Sequence, residues 1–188
     1  ALAIAERPQT ASSCVIVSRA RAGTPIGILR KRARRRIGIE AWHYSVSIIR
    51  GRGIDQNALA YIARRHGTAN ALFVDGWTGK GAIACELQRT LALFNKQYGR
   101  TLQPELYVVT DLCGLATVTA SFEDYLIPSS ILNSIVSGLV SRTILHEQYI
   151  SPTDFHGCLY YAELQPYDLS RKFIDILMEH VAEQAVGT

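Results

Sequence analysis

A chain of 188 residues with 48% hydrophobic and 19% charged side chains is long enough for one domain with a sizeable core, and its balance excludes disordered and fibrous classes. The net charge is only +4, and no apolar run approaches the roughly 20 residues of a membrane span, so a soluble, cytoplasmic protein with no membrane partner is expected. The opening stretch ALAIAERPQTASS has neither an initiator Met nor a charged-then-apolar leader pattern. Residues 1–13 therefore read as an extension cut from a longer protein, ahead of a domain over 14–188. Cys14, Cys85, Cys113 and Cys158 lie far apart, without a C-x-x-C pair or a His at ligand spacing, which suggests reduced, packed thiols and no protein metal site.

The first element is Cys14–Ser18, CVIVS, a β-branched run that reads as a buried strand. Arg19-Ala20-Arg21-Ala22-Gly23-Thr24-Pro25 follows, and Pro25 suits the first turn of a helix from Ile26 to about Arg36, with Ile26, Leu29 and Ala33 toward the sheet. Small residues flanked by arginines at a strand-to-helix junction make an anion site, because backbone amides can approach while guanidinium supplies charge. The basic run Arg30 to Arg36 fits nucleic acid, a membrane surface, or a solvated helix face whose field draws an anionic substrate. Trp42–Ile49 is the next strand, with His43 and Tyr44 as pocket residues or ordinary structural ones. It leads into Arg50-Gly51-Arg52-Gly53-Ile54-Asp55, either a surface turn or a mobile basic lid with Arg52 as its substrate contact. Asp55 is placed to cap a helix over Gln56–His66.

The stretch ALFVDGWTGKGAIACEL, Ala71 to Leu87, organises the rest. It reads as a strand (Ala71–Val74), an acid at its carboxyl end (Asp75), a turn (Gly76-Trp77-Thr78-Gly79-Lys80-Gly81) and a helix from Ala82 to about Tyr98. Free N–H groups and the positive helix end behind a glycine-rich turn form a phosphate seat. An ATP-type P-loop is excluded, since Val74 and Gly81 stand where it needs Gly and Ser or Thr. The pattern resembles the phosphoribosyl diphosphate (PRPP) signature of type I phosphoribosyltransferases, with Gly76 where that family has a second acid. Arg21-Ala22-Gly23 would match the same family's pyrophosphate loop.

Glu105–Asp111 is a further strand ending in an acid, and Ala116–Ala120 another. Ligands of open α/β sheets bind beyond the carboxyl ends of the strands, so Asp75, Asp111 and the Arg19 to Thr24 loop should share one rim. Ile131–Leu145 has apolar residues at helical spacing behind a Ser129 or Ser130 cap, with Asn133, Ser137, Ser141 and Arg142 as a polar stripe for a ligand or partner. Asp154 and His156 lie beside Cys158, whose side chain is expected in the core of a strand over Leu159–Ala162. The last helix runs from Leu169 to about Gln184.

Taken together, SRARAGTPIG, HYSVSIIRGRGID, FVDGWTGKGAI, EDYLIPSSILNSIVSGLVSRTIL and DFHGCLYYAEL resemble the phosphoribosyltransferase-related family named for cysteine protease StiP, over about Cys14 to Asp175. The resemblance implies an open, mainly parallel α/β sheet flanked by helices, of the type I phosphoribosyltransferase kind. It also implies a bacterial tellurite-resistance or stress setting, with RNA reached through a companion domain of longer members. The activity it implies is a base or amine displacing pyrophosphate from PRPP, with Mg2+ carried by PRPP, Asp75 on the ribose hydroxyls and Arg21 at the leaving group. Arg19, Ala22, Gly23 and Thr24 would hold the pyrophosphate. Gly76, Trp77, Thr78, Gly79, Lys80 and Gly81 would hold the 5′-phosphate, with Asp111 and Arg52 nearby. A homodimer is left open. Two rivals stand beside it: a cysteine hydrolase using Cys158 or Cys113 with His156 or His43, and a nucleotide-binding or RNA-associated module without chemistry, for which Gly76 is the best sign.

Overall fold

The computed structural model describes residues 13–68, 70–124, 126–129 and 133–186. Its centre is a five-stranded sheet formed by β1 (Ser13–Arg19), β2 (Glu40–Val46), β5 (Ala71–Trp77), β6 (Leu106–Thr110) and β7 (Val118–Ser121). The order is β2-β1-β5-β6-β7 and every pairing is parallel. Parallel strands need crossovers, and helices α1 (Thr24–Arg36), α2 (Gln56–His66) and α3 (Ala82–Tyr98) supply them on both faces. Alternation along β1 and β5 divides the core in two. Val15, Val17, Ala71 and Phe73 pack with Leu59, Ile62, Leu87, Leu91 and Phe94 of α2 and α3. Cys14, Ile16, Leu72 and Val74 pack on the other face with Ile26 of α1 and Tyr107. The expected open, mainly parallel sheet is therefore present, and its order reverses between β1 and β5.

Three local expectations are replaced. Arg50 to Gly53 is a tight turn between β3 (Ile48–Ile49) and β4 (Gly53–Ile54). The Gly51 N–H donates to Glu86 Oε2 at 3.0 Å, and a Cβ on Gly53 would stand 2.6 Å from Thr90 Oγ1, so the turn is pinned to α3 instead of hinged as a lid. The helix expected over Ile131–Leu145 is a 3-10 turn (Ser134–Val136) followed by strand β8 (Val140–Ile144), antiparallel to β9 (Gly157–Tyr160); residues 130–132 lie outside the described ones. Gly138 and Leu139 both take positive φ, +88° and +57°, which no α-helix continues through, and the Gly138 N–H donates to Ser170 Oγ at 2.8 Å. The apolar spacing was that of β-branched residues either side of a turn. The basic run is not wholly solvated either. Arg30 and Arg34 are buried, while Arg32 Nη1 meets Asp175 Oδ1 of α4 (Ser170–Val186) at 2.5 Å.

Arg30 lies with its Cζ 4.3 Å from the centre of the Tyr107 ring, and its Nε, Nη1 and Nη2 have no hydrogen-bond partner. Burial first, then nearby Arg34, lowers its pKa to about 10. Desolvation of an ion without hydrogen bonds outweighs a cation–π contact. Arg30→Met should therefore leave stability unchanged or raise it by about 1–3 kcal/mol, read as the urea midpoint; a marked loss would contradict this balance.

The loop after β6 is closed by a single carboxylate. Asp111 Oδ1 accepts Thr78 Oγ1–H at 2.8 Å, the Cys113 N–H at 3.2 Å and the Gly114 N–H at 3.1 Å, while Oδ2 accepts the Ala116 N–H at 2.8 Å. Burial pushes its pKa up, but these donors prevail and hold it below the usual carboxylate value. A lowered folded-state pKa contributes stability above the unfolded value and loses it as the pH falls through the folded one. Asp111→Ala should cost about 2–4 kcal/mol at neutral pH. In urea titrations the gap to the parent should shrink below the ordinary carboxylate range; a gap independent of pH would contradict the assignment.

Candidate functional site

The carboxyl ends of β1 and β5 meet where the sheet order reverses, the place where open α/β sheets take ligands. Arg19 Nε stands 2.5 Å from Asp75 Oδ2, and Asp75 Oδ1 accepts the Gly76 N–H at 2.7 Å. Asp75 is buried. Burial raises its pKa, against the lowering effect of Arg19. Its carboxylate is thus consumed by a structural pair and is not presented to a sugar.

In both bends part of the chain is already engaged by its own fold. In the first, the Ala20 N–H donates to Val46 O, the Gly23 N–H to Arg19 O and the Thr24 N–H to Arg21 O. Thr24 Oγ1 is 2.5 Å from Ser45 Oγ, Ala22 is buried, and a Cβ on Gly23 would meet Val74 O at 2.5 Å. In the second, β5 continues through Gly76 to Trp77, whose ring lies 3.4 Å from the Cβ position of Gly79. Gly81, the N-cap of α3 at φ +80°, is covered by Leu115 Cδ1 and Cys113 Sγ, at 2.6 and 3.2 Å from its Cβ position. Thr78 Oγ1 is spent on Asp111 and Lys80 is exposed. Arg52 is exposed on the pinned turn. The glycines serve close packing of chain on chain, which from sequence has the same signature as packing of chain on phosphate.

A second cluster forms where the β8–β9 ribbon lies over the β2 end. Ser47 Oγ is 2.9 Å from His156 Nδ1 and accepts Thr143 Oγ1–H at 2.8 Å. The His156 N–H donates to Asp55 Oδ2 at 2.7 Å, and Asp55 Oδ1 caps α2 by accepting the Ala58 N–H at 2.9 Å. Thr143 faces Cys158 in the antiparallel register, so their Cβ atoms lie about 5 Å apart on one face. His156 stands immediately ahead of β9 and two residues before Cys158. Cys158 is exposed, not in a core as expected from sequence. Sequence marked His156, Cys158 and the Asp55 cap. It gave no sign of Ser47 or Thr143, which are separated from their partners by 109 and 96 residues.

The other thiols and imidazoles are placed differently. Cys113 is exposed with Sγ 3.5 Å from the Asp111 carboxylate. Cys14 is buried, and that burial raises its pKa. His43 sits under α1, its Nε2 2.7 Å from Ser18 Oγ, and burial lowers its pKa to about 4. It is therefore a structural residue. Among the described residues no group of three His, Cys, Asp or Glu side chains is placed to hold a metal ion. Of the polar stripe, Ser137 Oγ donates to Asn133 O and Ser141 Oγ accepts the Leu159 N–H, while Arg142 is exposed.

Beside the ribbon lies a cleft of about 380 Å3, whose lining includes Arg19, Arg21, Arg50, Arg142, Ser129 and Thr143. Arg21 Nη1 donates to Val140 O at 2.7 Å and so ties the start of β8 to the rim. A cavity between the sheet and α3, at about 30 Å3, is too small for a substrate.

The family model for the tellurite-like stress resistance cysteine protease StiP matches residues 1–178. Cysteine protease StiP of Acinetobacter baylyi is 45% identical over 168 residues, covering 85% of this chain and 43% of that relative. The chain thus spans less than half the length of the curated relative it matches. No solved structure matches it. Among the described residues no helix is long and apolar enough to cross a membrane. Both descriptions speak of a cysteine protease, which overturns the expectation of a PRPP-dependent phosphoribosyltransferase. With nearly its whole described length matched by one model, this chain belongs to the StiP family of tellurite-like stress resistance cysteine proteases.

Proposed function

We propose that the chain carries the reactive centre of a thiol-dependent hydrolase acting on polypeptides, with Cys158 as nucleophile and His156 as its base. The reading rests on one observation: His156 is held at both its backbone and its Nδ1, by Asp55 and Ser47, two residues along the chain from a cysteine that is open to solvent. A hydroxyl oxygen has two lone pairs, so Ser47 can accept both Thr143 Oγ1–H and an Nδ1–H from His156. That tautomer leaves Nε2 free to take a proton. It is the arrangement of base and orienting group that nucleophilic catalysis requires.

In the reaction, Nε2 takes the thiol proton as Sγ of Cys158 bonds to the substrate carbonyl carbon. The tetrahedral intermediate collapses by breaking the C–N bond, and His156 returns the proton to the departing amine. Water, deprotonated by the same nitrogen, then attacks the thioester and restores the thiol. Ser47 and Asp55 position the imidazole and touch no substrate. Asp75 and Arg21, the residues marked from sequence, act at one remove, as part of the scaffold that holds the rim and β8. The second candidate is less suited: the Cys113 S–H is directed to Asp111 Oδ1 at 3.5 Å, the oxygen that also accepts the Cys113 and Gly114 amides of its loop. The family description and the name of the Acinetobacter baylyi relative support the reaction class.

The test is hydrolysis of fluorescently labelled casein by the full-length protein. Cys158→Ser and His156→Gln should each lower the rate by about 100-fold or more while circular dichroism stays unchanged; Cys113→Ser should stay close to the parent. Full activity in Cys158→Ser, or loss in Cys113→Ser alone, would overturn the assignment.

A further inference from the structure

The cleft beside the ribbon has a character that the hydrolytic chemistry does not require. Arg19, Arg21, Arg50 and Arg142 contribute to its wall, and no carboxylate does among the described residues. Asp75, just beneath, is already engaged by Arg19. The remaining three arginines therefore face a volume of about 380 Å3 without an acidic neighbour in the wall. Like charges gathered around a concavity repel one another, and a fold carries that cost where an anion is to be received. A second observation points the same way. Ser129 lines the cleft, is fully buried, and its Oγ has no hydrogen-bond partner. Buried hydroxyls are nearly always satisfied, so one left open on a basic wall is a donor waiting for an acceptor.

The cleft also has an address. Thr143 belongs both to its wall and to the cross-strand pair with Cys158. Arg50, Arg142 and Ser129 thus share a wall with the cross-strand neighbour of the thiol. We infer that this cleft is a specificity site that takes an oxyanion borne by the polypeptide substrate, either the carboxylate of an acidic residue or a phosphate on a modified one, next to the bond to be cut. The inference rests on the hydrolase reading for its meaning. Its binding step can be measured without turnover.

The probes are three fluorescein-labelled peptides of one Gly-Ser sequence, carrying at the centre Glu-Glu, phosphoserine, or Gln-Gln. Binding is read by anisotropy on full-length protein bearing Cys158→Ser, so that no peptide is consumed. The inference expects the Glu-Glu or phosphoserine peptide to bind at least about 10-fold more tightly than Gln-Gln, and the tighter of the two identifies the source of the oxyanion. Arg142→Gln and Arg50→Gln should each remove most of that difference, Arg142→Lys should restore part of it, and Ser129→Ala should weaken it by about 5-fold. Thermal melts of each variant certify the fold. Equal binding of all three peptides, or an anionic preference that survives both Gln substitutions in folded protein, overturns the inference and leaves the role of Cys158 standing. Selective binding in a protein whose parent never hydrolyses casein overturns the hydrolase reading and leaves the oxyanion site standing.

Discussion

One carboxylate holds the two halves of the molecule in register. Asp55 gives Oδ1 to the Ala58 N–H at the start of α2 and Oδ2 to the His156 N–H at the start of β9, while its own N–H donates to Ser47 O. It is buried, so each of these bonds is made out of water, and an unmade one leaves a group unsatisfied. Asn57, the second residue of the same helix, adds Nδ2 bonds to the carbonyls of Pro152 and Asp154. The N-terminus of this helix thereby joins the Arg21–Val140 and Thr143–Ser47 bonds in hanging the ribbon on the sheet. Without that attachment His156 loses its backbone anchor and keeps only the Ser47 contact at Nδ1.

The rest of the rim follows from charge and packing. Parallel pairing of β1 with β5 brings Arg19 and Asp75 to adjacent strand ends, where they meet at 2.5 Å. A buried carboxylate without that guanidinium would be costly, and with it the space a sugar would need is taken. The bends close over the same region: Gly23 against Val74, Gly79 under Trp77, Gly81 under Leu115. What stays open is the neighbouring cleft, where Arg21 is spent on Val140 O and Arg50 and Arg142 complete the wall.

Much of this architecture was legible from local patterns. The helix Gln56–His66 with its Asp55 cap, the strand beginning at Ala71 and the helix Ala82–Tyr98 follow from hydrophobic period, capping residue and glycine C-terminus, all of which act within a few residues. The motifs also carried the family. Two kinds of feature were not legible. A glycine that lets the backbone approach a phosphate looks the same as one that lets it approach a leucine, so Gly81 could not declare which it served. Ser47 and Thr143 look like any polar strand residue, and only the fold brings them to His156. The segment Ile131–Leu145 misled for a third reason, since its apolar spacing fits a helix while Gly138 and Leu139 turn the chain and its β-branched residues pair with β9.

The account stands on the claim that one cysteine, made reactive by one imidazole, sits on this ribbon. A peptidyl fluoromethyl ketone alkylates a thiol that a neighbouring base has activated, and mass spectrometry of the digested protein reports which cysteine carries the adduct. The account predicts modification at Cys158, lost in His156→Gln. An adduct on Cys113 or Cys85 instead, or one on Cys158 formed equally fast in His156→Gln, would contradict it.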